Sequence, residues 1–137
     1  LRQATDSAAS DAIMCSPQGQ VAEGATSNVF MVRGGALATP SLATGLLEGI
    51  TRALVIHLAA ELGIPCSEAT IWPDELRAAD EVFLTSSVRG PMPVTTLDAA
   101  PVGAGGVGAV TRRIMTRYAA YIDAVAAGGP ELLTSPA

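Results

Sequence analysis

Apolar and polar positions first fall in short, turn-bounded runs and then change to a helical spacing. Asp11–Ser16 (DAIMCS) is a short apolar run followed by the turn residues Pro17-Gln18-Gly19. Gln20–Glu23 and Ser27–Val32 read as strands, the second closed by Gly34-Gly35. Gly35–Thr39 reads as another, ended by Pro40. Four such pieces joined by tight turns predict an antiparallel meander. After Gly45 the period changes: across Thr51–Leu62, apolar residues at Leu54, Val55, Leu58, Ala59 and Leu62 form one helical stripe, and Gly63 supplies the stop. Ile64–Trp72 reads as a strand, and Pro73–Asp80 as a short helix with Pro at its start and acids in its first turn. Glu81–Thr85 is predicted to be a buried strand running into Ser86–Gly90, and Pro91, Pro93 and Pro101 mark extended, edge-like chain. A last helix is expected over Val110–Ala127. Its inner face is Ile114, Tyr118, Tyr121, Ile122 and Val125; Arg112, Arg113 and Arg117 point outward. Strands and helices mixed in this way, without a repeat, predict one mixed α/β (α+β) domain over residues 1–127. Residues 128–137 read as a flexible tail.

Composition narrows the classes. The chain has 137 residues, 49% apolar and 15% charged, which predicts an ordered domain with a modest core. Its net charge is −5, and all eight basic residues are Arg, with no Lys. A nucleic-acid partner is not expected, because phosphate-backbone binding needs a clustered positive field. The sequence holds no uninterrupted apolar run of ~18 residues, so no bilayer-spanning helix is expected. The polar start LRQATDSAASD does not read as a secretory signal. Cys15 and Cys66 lie far apart and read as reduced, partly buried thiols in a cytoplasmic setting. One His and two Cys are too few for a protein-built zinc site, so no metal is expected.

Two groups of residues suggest chemistry. Gly103-Ala-Gly105-Gly106-Val-Gly108 matches G-x-G-x-x-G, but that pattern binds a dinucleotide only inside a βαβ unit with an acid about 20 residues on. Here Asp123 falls within the following helix and no second strand follows, so a flexible glycine-rich loop accounts for the same letters. The second group is a Gly-led turn opening a helix at Leu47-Glu-Gly49-Ile50-Thr51-Arg52. Free amides at Gly49–Thr51 and the Thr51 hydroxyl would face one point at a positive helix terminus, an anion site suited to a phosphate monoester. Ser86 and Ser87, at the exit of the buried strand, would complete the cup. Helix capping by Thr51 and turn chemistry at the serines account for each segment taken alone.

Taken together, these segments resemble the class IV aminotransferase family. Glu23-Gly-Ala-Thr-Ser-Asn28-Val-Phe30, the Leu37-Ala-Thr39 step and Leu47-Glu-Gly49-Ile50-Thr51-Arg52 occur in the family's order and spacing, and the similarity continues through ADEVFLTSS to the last helix. The resemblance implies the C-terminal lobe of the D-amino-acid aminotransferase-like fold, with pyridoxal 5'-phosphate as cofactor. Glu23 would then contact the pyridine nitrogen and keep it protonated, and Leu47 would pack on one ring face. Gly49, Ile50, Thr51 and Ser87 would hold the phosphate, with help from Ser86. Asn28 would fix the loop, and Val88 and Arg89 would lie towards the substrate carboxylate.

The family's reaction also needs a lysine joined to the cofactor, which this chain lacks. The chain is therefore expected to be the C-terminal lobe of a longer protein whose N-terminal lobe carries that lysine, and to be inactive alone. The resemblance further implies a homodimer acting on a small amino substrate. Thr85–Gly90 looks more like lyase-type members than the transaminase loops, with Gly90 where many transaminases carry an acid. The expected reaction is therefore that of 4-amino-4-deoxychorismate lyase, which eliminates pyruvate to leave 4-aminobenzoate. Branched-chain or D-amino-acid transamination is the alternative, and a non-catalytic phosphate-binding relic of the fold is a further one.

Overall fold

In the computed structural model, which describes residues 12–25 and 27–128, the strand-like pieces form two separate hairpins rather than one meander. β1 (Ile13–Cys15) pairs antiparallel with β2 (Val21–Gly24) in a sheet of their own. β3 (Asn28–Arg33) and β4 (Ala36–Pro40) pair across the Gly34-Gly35 turn and belong to a five-stranded sheet. The Gly24 amide donates to the Ser27 carbonyl, so the chain bends between β2 and β3 and carries β3 into the other sheet.

That sheet has the order β5-β4-β3-β6-β7. β5 (Cys66–Ala69) runs parallel to β4, and the helix that crosses over to it is α1 (Ile50–Glu61). The strand expected over Ile64–Trp72 is thus only four residues long. Beyond Ala69 the chain leaves β4: the Ile71 carbonyl accepts from the Val21 amide and the Ile71 side chain is buried in the core. The next helix, α2 (Pro73–Arg77), is also shorter than Pro73–Asp80. The Asp80 amide donates to the Val32 carbonyl, drawing the chain out of the helix and into β6 (Glu81–Ser86).

β7 (Gly90–Val94) pairs antiparallel with β6 and forms one margin of the sheet. Its alternate residues Pro91 and Pro93 lack amide hydrogens, which a strand at the margin of a sheet tolerates because only its other amides need to reach β6. A small hairpin, β8 (Thr96–Leu97) with β9 (Ala100–Pro101), leads to α3 (Ala109–Ala126).

Burial on both faces explains why β3 reads as a continuous apolar run. Val29 and Met31 pack with Val82 and Leu84 of β6 against Ile13, Val21, Ile71 and Leu76. Phe30 and Val32 point the other way, onto Val55 and Ala59 of α1 and Ile114 of α3. Phe30 and Phe83 stack with ring centroids 5.0 Å apart. By the same alternation, Asn28 and its β6 partner Thr85 lie on the helix-covered face.

The inner face of α3 differs from expectation in two places. Ile114 is buried and Tyr118, Tyr121 and Val125 are half-buried, but Ile122 lies one step off that stripe and is exposed. Arg117 is not simply outward: its guanidinium bonds the Glu61 carboxylate of α1 at 2.8 and 3.1 Å. Residues 129–137 of the expected tail lie outside the described residues.

The glycine motif ahead of α3 has a packing explanation. Glu81 of β6 accepts from the amides of Val110 (3.2 Å) and Thr111 (2.7 Å) and from the Thr111 hydroxyl (2.6 Å). A Cβ on Gly108, the residue before α3, would overlap the Glu81 carboxylate. The helix start that a dinucleotide phosphate would occupy is therefore filled by the chain's own acid. Glu81→Ala is expected to cost about 1–2 kcal/mol. Urea denaturation measures the loss, and faster amide exchange at Thr111 localises it.

Cys15 and Cys66 are both half-buried. Burial pushes the Cys66 thiol above its ordinary range, with nearby Arg52 opposing and Glu68 adding to the shift. Among the described residues no helix is long and apolar enough to cross a membrane.

Candidate functional site

The loop entering α1 is tied to the five-stranded sheet and to the β1-β2 hairpin by two polar side chains. Asn28, at the start of β3, donates from Nδ2 to the Leu47 carbonyl and accepts at Oδ1 from the Gly49 amide, each at 3.0 Å. A Cβ on Gly49 would stand 2.8 Å from that Oδ1, so the contact requires glycine. From β2, Glu23 Oε1 accepts the Leu47 amide at 3.1 Å. Glu23 and the start of α1 are thus joined through the short loop Leu47-Glu48-Gly49. Among the described residues, Glu23 Oε2 has no partner.

A second tether comes from β6. The Thr51 hydroxyl donates to the Ser86 carbonyl at 3.0 Å, holding the first turn of α1 to the strand end. The Ser86 hydroxyl accepts the Arg89 amide at 3.0 Å and closes the turn into β7. Ser87, Val88 and Arg89 all lie exposed in that turn.

Arg52 is a structural centre to which the sequence pattern assigns no role. Its side chain is buried and donates to Glu48 (2.8 Å), Glu68 (2.9 Å) and the Pro40 carbonyl (3.1 Å). One residue thereby fastens α1 to β4 and β5. The signal that could have found it is the Glu48–Arg52 spacing of four, which sets a carboxylate of the loop before α1 beside a guanidinium of its first turn.

Two details of the expected anion cup change. The Gly49 amide is not free, because Asn28 takes it, and the Thr51 hydroxyl hydrogen is engaged by Ser86. What remains open are the amides of Ile50, Thr51 and Arg52, since the first intrahelical bond is Ala53 N–H to Gly49 carbonyl. Asn28 fixes the loop, as expected, and holds Gly49 so that those three amides begin the helix. Ser87 has no side-chain hydrogen bond among the described residues, and the Ser86 hydroxyl keeps its own hydrogen.

Around this opening the surface is unusually apolar. Leu47, Ile50 and Val88 are 81%, 75% and 90% exposed, whereas the other exposed large apolar side chains among the described residues reach 46% at most. An acid with one open oxygen, three unpaired amides at a positive helix end, two adjacent hydroxyl-bearing residues and apolar side chains make a chemically mixed site. It offers hydrogen-bond donors to an anionic group, a carboxylate oxygen to a donor, and apolar side chains beside both.

Residues 1–97 match the family model described as amino-transferase class IV. The chain is 44% identical over 112 residues to a probable branched-chain-amino-acid aminotransferase of Thermotoga maritima, covering 82% of this chain and 41% of that protein. It is 36% identical over 115 residues to a D-alanine aminotransferase of Bacillus licheniformis, covering 84% of this chain and 40% of that one. Its fold superposes with a TM-score of 0.79, at 39% identity, on the branched-chain aminotransferase of Thermoproteus uzoniensis with norvaline, covering 84% of this chain and 38% of that one. A further branched-chain amino acid aminotransferase, complexed with N-(5'-phosphopyridoxyl)-L-glutamate, superposes with a TM-score of 0.80 at 36% identity, covering 84% of this chain and 38% of that one. The chain spans about two fifths of the length of these relatives. With its motif residues gathered at one helix start and this agreement in sequence and fold, the chain belongs to the class IV aminotransferase family.

Proposed function

We propose that this chain is the cofactor-gripping C-terminal lobe of a pyridoxal-phosphate-dependent amino-acid aminotransferase. The observation that carries this reading is the link from the Glu23 carboxylate through Leu47 and Gly49 to the unpaired amides of Ile50, Thr51 and Arg52. Pyridoxal phosphate, when bound, supplies a protonated pyridine ring that withdraws electrons from the substrate's reacting carbon. Glu23 would hold the proton at the ring nitrogen through its open oxygen. The three amides, with the hydroxyls of Ser86 and Ser87, would bind the phosphate. Leu47 would cover a ring face, and Val88 and Arg89 would meet the substrate. The amine that joins the cofactor has to come from outside these 137 residues, which contain no lysine.

The sequence of the Thr85–Gly90 turn favours an aminodeoxychorismate lyase, but the relatives it matches are named branched-chain and D-alanine aminotransferases. Transamination of branched-chain or D-amino acids is therefore the reading supported best.

The test uses the intact protein that carries this chain. With pyridoxal phosphate it is expected to show a visible absorption band that borohydride removes, and to convert valine or D-alanine to the keto acid. A protein that stays colourless with added cofactor ends the proposal. Release of 4-aminobenzoate from aminodeoxychorismate, without keto acid from either amino acid, replaces transamination with the lyase reaction.

A further inference from the structure

A second concave surface lies where the end of α1 meets the solvent-facing side of α3. It is an open hollow of about 770 Å³, of a size that admits a small molecule. Leu62, Val107 and Ala120 supply apolar lining, and Arg112, Arg113 and Arg117 line it as well. Two of these guanidinium groups are held in place: Arg113 donates to the Leu62 carbonyl at 3.1 Å, and Arg117 to Glu61. Arg112 has no side-chain partner among the described residues.

On a chain of net charge −5, three of the eight cationic side chains thus border one apolar hollow, with Glu61 the only acid bonded to them among the described residues. Guanidinium forks match carboxylates, and an apolar wall selects a hydrocarbon body. We infer that this hollow is a binding site for a small aliphatic carboxylate, whose head group Arg112 receives and whose chain lies on Leu62, Val107 and Ala120. None of these residues belongs to the site at Glu23 and the start of α1, so the hollow is independent of the aminotransferase reading.

The test is calorimetric titration of octanoate into the intact protein saturated with pyridoxal phosphate, with octan-1-ol and acetate as controls. Octanoate is expected to bind saturably, octan-1-ol and acetate each at least about tenfold more weakly. Arg112→Gln is expected to weaken octanoate about tenfold, and Ala120→Trp to weaken it by a similar factor by setting an indole over the apolar wall on which its chain lies. Both variants are expected to keep the far-ultraviolet circular dichroism of the parent protein, which shows that they fold. Arg89→Gln is expected to leave octanoate binding unchanged. The assignment fails if octanoate shows no saturable heat, if octan-1-ol binds as well as octanoate, or if Arg112→Gln has no effect. Sensitivity to Arg89→Gln alone also overturns it, because the carboxylate then sits in the substrate site.

Discussion

Glu23→Gln in the intact protein is expected to lower the transamination rate on the order of 10²-fold while leaving the fold unchanged. The amide oxygen of Gln still accepts the Leu47 N–H, so the loop into α1 keeps its anchor. What disappears is the negative charge that would hold a proton on the ring nitrogen, and with it the electron demand of the ring. The measurement is kcat for the best amino-acid substrate at saturating cofactor, with circular dichroism as the folding control. A rate within about twofold of the parent protein would remove Glu23 from the chemistry. Glu23→Ala removes both functions and is expected to weaken cofactor binding as well, so the two variants separate charge from position.

The largest effect on stability is expected at Arg52. Arg52→Met deletes a buried guanidinium that joins α1 to β4 and β5, and strands the Pro40 carbonyl in the interior. Its partners Glu48 and Glu68 are 42% and 49% exposed and regain water on release, which places the loss at the low end for a broken buried pair, about 3 kcal/mol. Arg52→Lys keeps a charge without the planar fork and is expected to fall between the parent and the Met variant. Chemical denaturation measures the change. A loss below about 1 kcal/mol would put the contact among ordinary surface pairs.

Much of the fold was legible because local and tertiary demands agree. The α1 stripe Leu54, Val55, Leu58 and Ala59 is buried, and the run through Phe83 is an interior strand of its sheet. Where they disagreed, a hydrogen bond to a distant residue decided. The Val21–Ile71 bond shortens β5, and the Val32–Asp80 bond shortens α2; neither partner is visible from local periodicity. The candidate site was legible for a different reason: its spacings are imposed by chemistry at one helix end. What spacing did not reveal was which donors are already used. Asn28 and Ser86 each claim a group that, in one dimension, reads as free. Arg52 was visible as a letter of the motif, but its burial depends on Pro40 and Glu68 arriving from other strands.

The prolines on β7 bear on how this molecule behaves in a crowded solution. A bare sheet margin is a template on which another chain can settle as a further strand, the first step of fibrillar deposits. With Pro91 and Pro93 on that side, a newcomer finds no donors at alternate rungs and growth is capped there. Any cross-chain extension is steered to the opposite margin, where Ser67 and the charged Glu68 lie exposed.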